Sequence, residues 1–189
     1  MRSSRLALAE RVSESAKPEP SKKSASADSQ TGGATVTDQI LFVDDDKHTL
    51  DGYQRLLHGE FRVSTAPGGE QGLASIRLLG PFALVISDMR MPGLNGAEFL
   101  ARVRKLSPCT VRMLLTGYRD IDLAIQAVNE GQIFRYLTKP CGRDELVAAI
   151  RLGLTQYRTN VEDDTLKREA REKKLTVPSS TGPKPFLVR

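Results

Sequence analysis

The chain has 189 residues, 39% of them hydrophobic and 27% charged, which is the balance of a soluble globular domain carrying polar segments. No run of 18 or more apolar residues occurs, so no transmembrane helix is expected, and Glu10 and Arg11 break the short N-terminal apolar patch that a secretory signal would need. The net charge of +5 divides into six basic and four acidic residues over 1–37, fifteen and fourteen over 38–158, and seven and five over 159–189, which describes solvated ends and not the dense basic stripe of a nucleic-acid binder.

Over residues 12–37 there is almost no bulky apolar side chain. Such a segment cannot bury enough surface to offset its ordering entropy, and residues 1–37 are expected to form a disordered polar tail. From residue 38 short β-rich runs alternate with helical periods. ILFV (40–43) precedes TLDGYQRLL (49–57), and FRVST (61–65) precedes EQGLASIRLL (70–79). FALVIS (82–87) precedes GAEFLARVRKL (96–106), VRMLL (111–115) precedes IDLAIQAVNE (121–130), and IFRYL (133–137) precedes DELVAAIRLGLTQYR (144–158). Apolar residues recur at three and four in the later helices, as Leu123, Ala124, Ala127 and Val128, or Leu146, Ile150, Leu154 and Tyr157, giving one buried stripe each. Five alternations predict an α/β fold over 38–158, a parallel sheet with helices on both faces. Residues 159–189 read as a charged tail, partly helical. Asp163–Lys167, Asp164–Arg168 and Glu169–Lys173 stand four apart, with too few apolar positions for a heptad seam.

In open parallel sheets, ligands sit beyond the carboxyl ends of the strands, so the residues leaving each strand should converge. The first strand delivers Asp44, Asp45 and Asp46; the third delivers Ser87 and Asp88, then MRMPG. The fourth delivers Thr116 and Gly117, and the fifth Thr138, Lys139 and Pro140. Packed carboxylates repel and resist ionisation when desolvated. These aspartates need not balance one another if they share a hard divalent cation, with the lysine adding further positive charge. Each residue also has a plainer reading: Asp45 as cap of the first helix, Asp46 and Lys47 as helix-start residues, Thr116 as an ordinary strand end, Lys139 as a solvated loop residue. His48 and His58 have no second ligand at metal-binding spacing and read as surface or helix-end residues. Cys109 and Cys141 flank strands at opposite ends of the sheet, roughly 17 Å apart, which excludes a disulfide between them and fits a reducing cytoplasm.

VDD after the first strand, SDMRMPGLNG after the third, LLTG after the fourth and YLTKP after the fifth together resemble the receiver domain of two-component response regulators. The likeness spans roughly 39–158 and is nearest in character to receivers that precede HD-GYP phosphodiesterase domains. It implies a flavodoxin-like sheet of order 2-1-3-4-5. It also implies a phosphorelay switch in which Asp88 is the phosphoacceptor for a sensor histidine kinase or phosphotransfer protein. Mg²⁺ would be held by Asp45, Asp88 and the backbone carbonyl of Arg90, with Asp44 acting largely through water. Lys139 would pair with the phosphoryl oxygens and Thr116 donate to one of them, Thr116 and Tyr136 would form the switch, and the Lys139–Pro140 peptide would be cis. Two positions depart from the pattern: Cys141 stands where a bulky aromatic is usual, and Arg90 places a long cation at the mouth of the site.

Only 31 residues follow Arg158, too few for a usual output domain, so output is expected through a separate downstream protein or a homodimer, in the cytoplasm and without a membrane. Two other classes remain open. A haloacid-dehalogenase phosphatase also uses a strand-end Asp with Mg²⁺, but places a second Asp two residues on, where this chain has Arg90. A DNA-binding transcriptional regulator is favoured only by net charge, and no helix-turn-helix pattern is visible.

Overall fold

The computed structural model describes residues 36–129 and 133–175. The expected N-terminal tail lies outside them except for Val36 and Thr37, as do residues 176–189 at the other end. In chain order the elements are β1 (Gln39–Asp44), α1 (Lys47–Leu57), β2 (Arg62–Pro67), α2 (Gly69–Leu79), β3 (Leu84–Asp88), α3 (Gly96–Leu106), β4 (Val111–Thr116), a 3-10 turn (Tyr118–Asp120), α4 (Ile121–Asn129), β5 (Arg135–Thr138) and α5 (Arg143–Leu175). The five strands form one parallel sheet in the order β2-β1-β3-β4-β5, as the resemblance implies.

Alternation along the strands separates two cores. Ile40, Phe42, Leu84, Ile86, Met113 and Leu115 face one side, where α1 (Leu50, Leu57) and α5 (Leu146, Ile150) cover them. Leu41, Val43, Val85 and Leu114 face the other, against α2 (Leu73, Ile76), α3 (Phe99, Leu100, Val103) and α4 (Ala124, Ala127). Central strands buried on both faces account for the uninterrupted apolar runs in the sequence.

Two helices differ from expectation. In α4 the buried residues are the alanines, while Leu123 is 56% exposed and Ile125 also points outward. The stripe is thus narrower than the sequence period suggested. Helix α5 does not stop near Arg158 but continues unbroken to Leu175, and Val161 joins the core formed with α1 and α5. The charged segment is a continuation of α5, and the packed part of the domain reaches past the expected boundary at 158. Val161→Ala should therefore lower stability by about 1–2 kcal/mol, read from the denaturant midpoint at unchanged slope.

The β3–α3 connection sets the position of the site. Gly93 adopts φ +78°, a left-handed turn that a side chain would strain. Asn95 caps α3 by accepting from the Glu98 N–H at 2.9 Å. Gly96 donates its N–H to the Met89 carbonyl at 2.9 Å, and any Cβ at Gly96 would collide with the Asp88 backbone carbonyl. Gly96→Ala should cost about 1–3 kcal/mol in thermal or denaturant unfolding and displace the end of β3.

Candidate functional site

The three consecutive aspartates have three different fates. Asp44, the last residue of β1, is buried, and its Oδ2 lies 2.8 Å from Lys139 Nζ. Its Oδ1 accepts the Asp46 N–H at 3.0 Å. Asp46 is the N-cap of α1: Oδ1 accepts from the His48 N–H at 2.9 Å, and Oδ2 from the Thr49 hydroxyl at 2.8 Å. Those hydrogen bonds, the Thr49 one foremost, hold its carboxyl below the usual carboxylate range. The capping role considered for Asp45 therefore falls to its neighbour. Asp45 is exposed and borders an open groove of about 900 Å³ that it shares with Arg90 and Met89.

Asp88 ends β3 in a buried position. Its Oδ1 lies 2.6 Å from Lys139 Nζ, and its Oδ2 accepts the Arg90 backbone N–H at 2.8 Å. Lys139 is thus a bridge between two buried carboxylates from different strands. It leaves β5 after a backbone hydrogen bond of 2.8 Å to the Thr116 carbonyl, and the Lys139–Pro140 peptide that follows is cis. Burial disfavours the ammonium charge, but the hydrogen bonds and charges of Asp44 and Asp88 outweigh it and hold Lys139 above the ordinary lysine value. Thr116, fully buried at the end of β4, donates its hydroxyl to the Gly117 carbonyl at 3.2 Å. Tyr136 is half-buried against the α2–α3–α4 side of the core.

The structure accordingly brings Asp44, Asp88 and Lys139 into direct contact, with Thr116 hydrogen-bonded through its backbone to Lys139. Asp45 stands outside that pairing. Among the described residues no group of three His, Cys, Asp or Glu side chains is close enough to hold a metal ion by itself. Mg²⁺ asks for less: it is held by one or two carboxylates and keeps several waters. The all-oxygen donors at this rim fit that ion, and the two buried carboxylates carry charge beyond what one lysine neutralises.

One pairing was not read from the sequence. The Arg90 side chain does not hang free at the mouth of the site. Its Nε and a terminal nitrogen contact Asp120 Oδ2 and Oδ1 at 2.6 and 2.8 Å, a bidentate clamp between the β3–α3 loop and the 3-10 turn after β4. The guanidinium hydrogen bonds hold the Asp120 carboxyl below the usual range, and reciprocally raise Arg90. Opposite charges leaving two adjacent strands at the same rim were the available signal.

The model of the response regulator receiver domain matches residues 40–151. Over 112 residues the chain is 39% identical to the hydrogenase transcriptional regulatory protein HoxA of Cupriavidus necator, covering 59% of this chain and 23% of that protein. The chain spans about a quarter of the length of such curated relatives. Among solved structures it is similar to one described as an adenylate cyclase from Rhodopirellula baltica, at 41% identity and TM-score 0.67, covering 69% of this chain and 97% of that one. It is also similar to the signal receiver domain of an HD domain-containing protein from Pseudomonas fluorescens, at 36% identity and TM-score 0.61, covering 70% and 98%. No helix among the described residues is long and apolar enough to cross a membrane. With the sheet order, the strand-end residues and the matched span in agreement, the chain belongs to the response regulator receiver domain family.

Proposed function

We propose that this domain is a phosphorylation-controlled signalling switch, with Asp88 as phosphoacceptor and a sensor histidine kinase or phosphotransfer protein as donor. The observation that carries the reading is the buried Asp88 carboxylate at the end of β3, paired at 2.6 Å with a lysine that a second buried carboxylate also holds. A bound Mg²⁺, with Asp45, Asp88, the Arg90 carbonyl and water-bridged Asp44 around it, would offset negative charge as an anionic phosphoryl group approaches. An Asp88 oxygen forms the new O–P bond while the N–P bond of the phosphohistidine breaks and its electron pair returns to the imidazole. Lys139 then exchanges an aspartate oxygen for phosphoryl oxygens, a positioning and charge-stabilising role of the kind that dominates phosphoryl transfer. Thr116 turns its hydroxyl from the Gly117 carbonyl to the phosphoryl group, and Tyr136 moves inward into the space this opens.

Output passes through the α4–β5–α5 surface to a downstream protein or a second copy of the domain. Leu123, Ile125 and Phe134 are exposed in this region, next to Arg119 and Asp122, so an apolar contact with a charged rim is available. Phosphorylation, or beryllofluoride with Mg²⁺, should strengthen association. Charge reversal at Asp122 should weaken it in sedimentation or light scattering without preventing phosphorylation.

The direct test is incubation with acetyl phosphate, with and without Mg²⁺. A base-labile, acid-stable label that EDTA prevents is expected, without turnover of small phosphate esters. Sustained ester hydrolysis would instead indicate a phosphatase.

A further inference from the structure

The Arg90–Asp120 clamp shares a cavity with the acceptor. A pocket of about 310 Å³ is lined by Asp88, Met89, Arg90, Gly117, Arg119 and Asp120, so a group attached to Asp88 enters a space bounded by two arginines and the aspartate that now occupies one of them. Arg90 touches both sides of this space. Its backbone N–H binds Asp88 Oδ2 at 2.8 Å, and its guanidinium grips Asp120.

We propose that Asp120 is a positioning residue that stands in for the phosphoryl group, holding the Arg90 guanidinium until phosphorylation of Asp88 presents a stronger anion and Arg90 changes partner. The inference rests on Asp88 being the phosphoacceptor. An aspartyl phosphate carries close to two negative charges and three acceptor oxygens, against one charge and two oxygens on Asp120, so a planar bidentate cation gains by the exchange. Arg119 on the same cavity adds positive potential to the incoming group. Once exchanged, Arg90 covers the phosphorus against attacking water, and Asp120 releases the turn that leads into α4. The phosphoryl lifetime is therefore set by competition between two anions for one arginine.

The test is a double-mutant cycle on the full chain, labelled with acetyl phosphate and Mg²⁺, reading the half-life of the aspartyl phosphate after donor removal. Asp120→Asn keeps the shape but removes the competing charge, and should lengthen the half-life roughly three- to tenfold. Arg90→Ala should shorten it by a similar factor, and the double variant should match Arg90→Ala. Asp120→Ser serves as a second neutral variant if Asn disturbs the turn. Unchanged half-lives in both Asp120 variants overturn the proposal. So does an equal lengthening when Arg90 is already alanine, because a purely structural role of Asp120 would not depend on Arg90. If Asp88→Asn labels as wild type does, the acceptor assignment itself fails and this inference falls with it. A labelled Asp88 with the wrong cycle removes only this inference.

Discussion

Asp88→Asn should reduce Mg²⁺-dependent labelling by acetyl phosphate to background while the protein stays folded. The amide removes the nucleophilic charge and one oxygen from the rim, yet keeps the shape of the side chain. The local frame survives the change. Gly96 still bonds to the Met89 carbonyl, and the Asn oxygen can still accept the Arg90 N–H that Asp88 accepts at 2.8 Å. Lys139 keeps Asp44 at 2.8 Å as a partner, so no charge is stranded. Loss of label with an unchanged unfolding midpoint therefore assigns chemistry and not structure to Asp88. Full labelling of the variant, by gel autoradiography or intact mass, would place the acceptor elsewhere.

Lys139→Ala has the second largest effect, and it acts on stability and response together. Without the ammonium, Asp44 and Asp88 remain buried at one rim with the cation they share removed. Removing one partner of a fully buried ion network costs about 3–5 kcal/mol. The Lys139 side chain is 30% exposed, so solvent screening brings the expected loss at neutral pH to roughly 1–3 kcal/mol. The sign with pH is fixed by the raised lysine pKa in the folded protein. In wild type the contribution of the charged lysine is fully present below the unfolded value of about 10.4, and is lost as pH rises through the higher folded value. Urea unfolding at several pH values checks this direction. In signalling assays the variant should respond weakly to phosphorylation, because the phosphoryl charge lacks its partner.

Much of this architecture was legible before the fold. Apolar runs of strand length alternating with helical periods sufficed for the sheet and both helical layers, and the rule that strand ends converge brought Asp44, Asp88, Thr116 and Lys139 to one rim. What escaped has physical reasons. Adjacent aspartates differ by one position in where they point, so the choice of Asp46 over Asp45 as cap depends on local dihedrals that composition does not encode. The extension of α5 to Leu175 carries no apolar stripe beyond Val161, and charged pairs four apart mark a helix without saying whether it continues the one before. In α4, alanines pack close to the sheet, which leaves Leu123 outside although the period placed it within the stripe. The Arg90–Asp120 clamp joins residues 30 apart through side chains alone and has no periodic signature.

The most direct measurement is chemical mapping of the acceptor. Protein labelled with acetyl phosphate and Mg²⁺ is reduced with borohydride, which converts an aspartyl phosphate to homoserine, then digested and sequenced by mass spectrometry. Homoserine at position 88, absent when Mg²⁺ is chelated, is the expected result. Homoserine at Asp45 or at any other aspartate, or a label that survives base and is lost in acid, would contradict the assignment of Asp88 as the phosphoacceptor.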